Sequence, residues 1–164
     1  VDVLSYNFDV KKIHDQCIQL LTTYGNDTTT QLGLKHTTSG HSRNLWFEGV
    51  GTSFEDKKRF SVLNELLKGT YIEEVHDTIA KDYSFGRLRI MRMFGRSCMS
   101  LHVDREKRIH IPVYTNPNCM MILDNEVIHM PADGNAYMVN TTKIHTALNS
   151  NLNFDRIHLL FDLL

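Results

Sequence analysis

His102 and Asp104, within "LHVDREKRIHIPVY" (residues 101–114), are the pair whose types and spacing point most directly to chemistry. On an extended strand, positions i and i+2 face the same way with α-carbons roughly 6.5–7 Å apart. An imidazole and a carboxylate in this order therefore converge on a single ion. The third ligand must come from another strand, and His145 in "KIHTALN" offers one. Three such ligands on one face leave the opposite positions of an ion open.

Two imidazoles and one carboxylate with vacant positions opposite are the set preferred by non-haem Fe(II) oxygenases. If the oxidant is O2, two further electrons are required, and a 2-oxoacid that chelates the metal supplies them. Such a co-substrate carries a distal carboxylate. Arg156, on the last strand "DRIHLLFDL", suits it, because a planar guanidinium makes paired charge-assisted hydrogen bonds that an ammonium does not. By alternation His158 shares the face of Arg156, and Arg108 shares a face with His110, while Ile109, Ile111 and Val113 take the other side. The polar face then lines a metal and anion pocket and the apolar face packs the core. Arg89 and Arg92 lie on opposite faces of one strand, and Arg89 is the one expected to look inward. Arg108, Arg89, Arg43 and Trp46 are candidates for contact with an anionic substrate, and His36 and His41 occur in the same Thr- and Gly-rich stretch as Arg43 and Trp46.

"HVDREKRIHIPVYTNP", followed by "HTALNS" and "DRIHLLFDL", resembles the aspartyl/asparaginyl beta-hydroxylase family of 2-oxoglutarate and Fe(II)-dependent oxygenases, which includes proline hydroxylase relatives. The resemblance covers about residues 87–164. It implies a double-stranded β-helix, with His102, Asp104 and His145 as iron ligands and Arg156 clamping the far carboxylate of 2-oxoglutarate. Arg108 and His110 match pocket residues that contact the co-substrate or the substrate's own carboxylate. The implied reaction hydroxylates a C–H of an amino acid, peptidyl residue or related small anion, consuming O2 and releasing succinate and CO2. Animal members carry glycine where this chain has Asp104, so the full triad is closer to the prolyl-type enzymes. A metal-binding sensor of cupin type and a Zn- or Mn-dependent cupin isomerase are the rival readings; neither requires an oxoacid clamp at Arg156.

These side chains need a scaffold. After Gly86 the apolar period changes from near 3.6 to 2, and eight short segments follow: "RLRIMRMF", "MSLHV", "KRIHIPVYT", "CMMILD", "EVIHMP", "GNAYMVN", "KIHTALN" and "DRIHLLFDL". Asn, Asp, Gly and Pro separate them, as turns require. Strands without intervening helices predict a mostly β jelly roll over residues 87–164. Residues 1–86 read as a helical and irregular part of the same domain, its helices packing on the larger sheet. One helix runs through "FDVKKIHDQCIQLL", with Asp9 as cap and Gly25 as stop. A second opens near Ser53 and carries Phe60, Leu63, Leu66 and Leu67 to Gly69. A third spans "YIEEVHDTIAKDYSFG" to Gly86. Residues 22–52 read as an irregular region or short edge strands.

The 164 residues suffice for one domain with a real core. With 18 basic and 19 acidic residues, nothing marks a nucleic-acid or membrane surface. No window holds the 18 or so uninterrupted apolar residues of a membrane span, and the first residues lack the pattern of an export signal. Cys17, Cys98 and Cys119 are odd in number and lack Cys-x-x-Cys spacing, which predicts reduced thiols and a cytoplasmic setting. Cys98 and Cys119 read as buried, His129 as structural, and the methionines as core filler.

Overall fold

The computed structural model describes residues 1–38 and 60–164. In chain order these form β1 (Asp2–Leu4), α1 (Val10–Tyr24), β2 (Gln31–Gly33), β3 (Lys35–Thr37), β4 (Phe60–Leu63), a 3-10 turn (Glu65–Leu67), α2 (Tyr71–Asp82), β5 (Phe85–Met93), β6 (Ser97–Cys98), β7 (Arg108–Tyr114), β8 (Cys119–Leu123), β9 (Glu126–Ile128), β10 (Ala136–Val139), β11 (His145–Asn149) and β12 (Arg156–Leu163). The expected segment "MSLHV" is not a continuous strand. Ser97–Cys98, just before it, pair as β6, and within it His102 joins the sheet through an isolated bridge.

Six antiparallel strands form the larger sheet in the order β1-β10-β7-β12-β5-β2, and four form the smaller in the order β6-β11-β8-β9. The fold is a mostly β jelly roll with helices on the outside of the larger sheet, as the strand pattern predicts. The sheet does not begin at residue 87, however. β1 and β2, from the N-terminal part, close its two edges by pairing with β10 and β5. β2 is a short edge strand within residues 22–52, one of the two readings of that region, while β1, three residues long, carries too little alternation to stand out.

Alternation makes the larger sheet a wall with two different faces. On β12, Ile157, Leu159 and Phe161 join Leu88, Ile90, Ile109, Ile111 and Val113 in the core that the helices cover with Ile13, Cys17, Ile72, Val75 and Ile79. Each such side chain contributes about 1.5–3 kcal/mol by leaving water. Phe85 and Phe161 meet edge to face, ring centres 4.8 Å apart. The intervening residues Arg156, His158, Leu160 and Asp162 face the interior between the two sheets, where Met121, Leu123, Met130, Tyr137 and Val139 form a second apolar cluster.

The helix ends obey their caps. Asp9 accepts from the Lys12 amide, and the Gly25 amide closes on Leu21. Thr70 accepts from the Glu73 amide while the Glu73 carboxylate accepts from Gly69 N–H at 2.6 Å, a reciprocal arrangement that fixes the start of α2. Two helical expectations are corrected. Phe60–Leu63 is a strand paired with β3, and only Glu65–Leu67 make a helical turn. Apolar residues 60, 63, 66 and 67 fit a helical stripe, but Phe60–Leu63 pair antiparallel with Lys35–Thr37. The helix expected to reach Gly86 ends at Asp82, since Phe85 and Gly86 already belong to β5. The Ser53 opening, His41, Arg43 and Trp46 lie outside the described residues.

Candidate metal centre

The segment 99–107 runs between β6 and β7 without joining a long ladder. Backbone hydrogen bonds at Met99, His102, Asp104 and Lys107 pin it to the sheets. His102 and His145 exchange both backbone hydrogen bonds across an isolated antiparallel bridge, at 3.0 and 2.9 Å, and the Asp104 amide donates to Thr141 O at 2.8 Å. The bridge sets the two imidazoles side by side with ring centres 4.3 Å apart. Ligand atoms of His102, Asp104 and His145 all lie within 4.8 Å of one another, and no other set of three His, Cys, Asp or Glu does so among the described residues.

Each imidazole is oriented by its other nitrogen. Nδ1 of His102 is 2.7 Å from Ser100 O, and Nδ1 of His145 is 2.9 Å from Lys143 O. A carbonyl only accepts, so both Nδ1 atoms carry the proton and both Nε2 lone pairs are left for a cation. Burial pushes His145 below the usual imidazole range, with the neighbouring His102 adding to the effect against the Lys143 carbonyl. The neutral, ligating form is favoured. Asp104 Oδ2 lies 3.4 Å from His145 Nε2 and 2.8 Å from Arg108 Nη1.

Behind the triad a narrow cavity, about 40 Å³ of open space, is walled by His102, His145, Arg108, His110, Arg156 and His158, with Met91, Met99 and Met121 between them. Methionine is the most pliable apolar lining, so the space can widen by rotamer changes alone. Arg156 is only 7% exposed, and its Nε has no hydrogen-bond partner. The carboxylates nearest along β12 are engaged elsewhere: Asp155 pairs with Arg92 at 2.6 Å, and Asp162 with other arginines. Burial lowers the Arg156 guanidinium to about 10. A buried cation facing a cavity without an anion is costly unless an anion arrives. His110 and His158 meet at 3.3 Å through Nδ1, leaving both buried Nε2 atoms unpartnered beside Arg156. Burial, then the Arg156 charge, drives both imidazoles well below their ordinary range.

Arg89 looks inward as expected, but not into this cavity. It donates to Asp162 at 2.8 and 3.1 Å and to Gln31 at 3.0 Å. His36 is buried on β3 with Nδ1 2.7 Å from Thr37 O, away from the cavity lining. His129 is structural, its Nδ1 2.9 Å from Cys119 O. Cys119 is buried, but Cys98 is exposed, because the two-residue strand β6 turns it outward. A roomier cavity of about 460 Å³ beside Arg92, Tyr114 and Asp155 holds no cluster of ligating atoms, so size does not locate the chemistry.

Sequence reasoning did not single out Asp162. It is fully buried and contacts Arg87 at 2.6 Å, Arg89 at 2.8 Å and Arg108 at 3.1 Å. The alternation 156, 158, 160, 162 was the available signal.

A family model described as aspartyl/asparaginyl beta-hydroxylase matches residues 9–164. The chain belongs to that family. Comparison with curated proteins yields no match. Among solved structures, an oxidoreductase of the 2OG-Fe(II) oxygenase family from Burkholderia pseudomallei is similar over 91% of this chain and 76% of its own, with TM-score 0.51 and 13% identity. AviO1 from Streptomyces viridochromogenes aligns over 93% and 81% with TM-score 0.48 and 12% identity. A predicted oxalate decarboxylase from Thermotoga maritima aligns over 56% and 72% with TM-score 0.41 and 17% identity. The first of these likenesses supports the jelly-roll fold of this hydroxylase-family chain. No helix among its described residues is long and apolar enough to cross a membrane.

Proposed function

We propose that this chain is an Fe(II)- and 2-oxoglutarate-dependent oxygenase that hydroxylates a C–H of an amino acid, a peptidyl residue or a related small anion, releasing succinate and CO2. The single observation that carries the reading is Arg156, a buried guanidinium without a carboxylate partner among the described residues, sharing one cavity with His102 and His145, whose ring nitrogens converge with the Asp104 carboxylate.

The donor set fits the group. Two neutral imidazoles and a carboxylate suit a divalent iron, and their common face leaves positions for a chelating oxoacid and a gas. When bound, the metal and the oxoacid supply the oxidising chemistry, and the protein supplies binding and orientation. His102 and His145 present Nε2 because backbone carbonyls hold their Nδ1 protons. Arg156 neutralises the distal carboxylate of 2-oxoglutarate, and of the neutral His110–His158 pair the ring whose Nδ1 accepts carries its proton on Nε2 and is positioned to donate to one carboxylate oxygen. Met91, Met99 and Met121 yield to admit a five-carbon diacid and exclude water around it. Arg108, which lines the same cavity, is the candidate for a substrate carboxylate, whereas Arg89 is turned to Asp162 and Gln31.

Anaerobic addition of Fe(II) and 2-oxoglutarate to the wild-type protein is expected to produce a visible metal-to-ligand charge-transfer band, and Arg156→Ala to abolish it at the same concentrations. Oxygen consumption should require added 2-oxoglutarate. Metal binding without either response would return the reading to a cupin-type sensor or isomerase.

A further inference from the structure

We propose that Asp162 is a positioning residue for the metal centre, acting through Arg108 on the carboxylate of Asp104. The inference rests on the reading of His102, Asp104 and His145 as metal ligands.

Asp104 needs such help. Its own amide bonds Thr141 O and the flanking segment is held through Met99, His102, Glu106 and Lys107, all by backbone groups, so none of these bonds fixes the direction of the Asp104 side chain. What touches the carboxylate is Arg108: Nη1 lies 2.8 Å from Oδ2, the same oxygen that sits 3.4 Å from His145 Nε2. The direction of Asp104 relative to the histidines therefore depends on where the guanidinium is held.

Arg108 is held from behind. Its Nε is 3.1 Å from Asp162 Oδ1, and its Nη2 is 3.8 Å from Glu106. Neither Arg108 Nε nor Asp104 Oδ2 has an aligned hydrogen bond, so these contacts are ion pairs, and the two carboxylates hold the guanidinium between them by charge. Asp162 is fully buried at the end of β12, directly opposite Arg108 in the β7 register. Arg87 and Arg89 close on it from β5 at 2.6 and 2.8 Å. Buried ion clusters of this kind add little net stability compared with apolar packing. A role in orienting the ligand accounts for a cluster with one arm reaching the metal site. Partners that orient metal ligands are worth about 10–100-fold in affinity.

The test is Co(II) binding, followed by its visible ligand-field spectrum and by titration, on wild type, Asp162→Asn, Arg108→Gln and Arg87→Gln. Arg87 touches Asp162 but is not among the contacts of Asp104, so its loss perturbs the cluster without cutting the link. Expected are an altered spectrum and roughly 10–100-fold weaker binding in Asp162→Asn and Arg108→Gln, with Arg87→Gln resembling wild type. Arg108→Gln carries the test if Asp162→Asn does not fold. Unchanged or tighter binding in Arg108→Gln overturns the proposal, as does equal weakening in Arg87→Gln, which would make the cluster merely structural. Failure of the wild type itself to bind Co(II) or Fe(II) is a separate result that removes the metal reading and this inference together.

Discussion

His102 and His145 face each other across one antiparallel bridge, and each has its Nδ1 committed to a carbonyl of its own chain segment. Neighbouring backbone thus delivers two Nε2 lone pairs to one point before any ion is present. Removing either ring takes away a donor that the remaining groups cannot replace. His102→Ala and His145→Ala are expected to lose more affinity for Fe(II) than the roughly 10–100-fold attached to an orienting partner. Isothermal titration with Fe(II) under anaerobic conditions checks this, and micromolar binding retained in His145→Ala would remove it from the ligand set.

Arg156 places function against stability. Its charge is buried beside two imidazoles with no carboxylate partner among the described residues, so without an anion its desolvation is uncompensated. Arg156→Met keeps most of the volume and removes the charge. The variant is expected to melt at the wild-type temperature or above it, while its affinity for 2-oxoglutarate falls by at least about 100-fold, the equivalent of one to two charge-assisted hydrogen bonds. Thermal shifts measured with and without 2-oxoglutarate read both effects. Destabilisation with unchanged co-substrate affinity would make Arg156 a packing residue.

The His110–His158 pair predicts an acid limb of stability. Both imidazoles are pushed well below 6.5 by burial and the Arg156 charge, so the folded protein keeps them neutral where the unfolded chain takes up protons. Their contribution is complete above about pH 6.5 and is lost as pH falls from there toward the lowered folded values. The slope approaches about 1.4 kcal/mol per pH unit for each group. Urea unfolding at pH 7.5, 6.5 and 5.5 should show the decline, and His158→Gln should flatten it by about one proton. An equal slope in that variant would mean the pair is not the source.

Much of this centre was legible because strand alternation is a strict period. "RIHLLFDL" and "RIHIPVY" assign Arg156, His158, Arg108 and His110 to one side of a wall and Ile157, Leu159, Ile109 and Ile111 to the other, and the structure keeps that division. What alternation does not carry is who pairs with whom. Arg89 and Arg108 could be placed inside, yet their sharing of Asp162 depends on the β12 register with β5 and β7, a long-range fact. Phe60–Leu63 was misread for the related reason that four residues fit either period, and its partner β3 decides the matter.

Phe161 tests whether the two faces of β12 are energetically separate. Its ring is fully buried on the helix side, edge-on to Phe85, one residue before Asp162 on the opposite face. Phe161→Ala removes a large side chain from a core that cannot fully collapse, at a cost of about 3–5 kcal/mol. That loss falls on the apolar face, whereas the ion network is held by contacts on the other. The variant is expected to unfold at correspondingly lower urea concentration while the fraction still folded binds Co(II) with wild-type affinity and spectrum. A spectral change in Phe161→Ala would show instead that packing beneath the strand sets the position of Asp162, and through it the geometry of the three ligands.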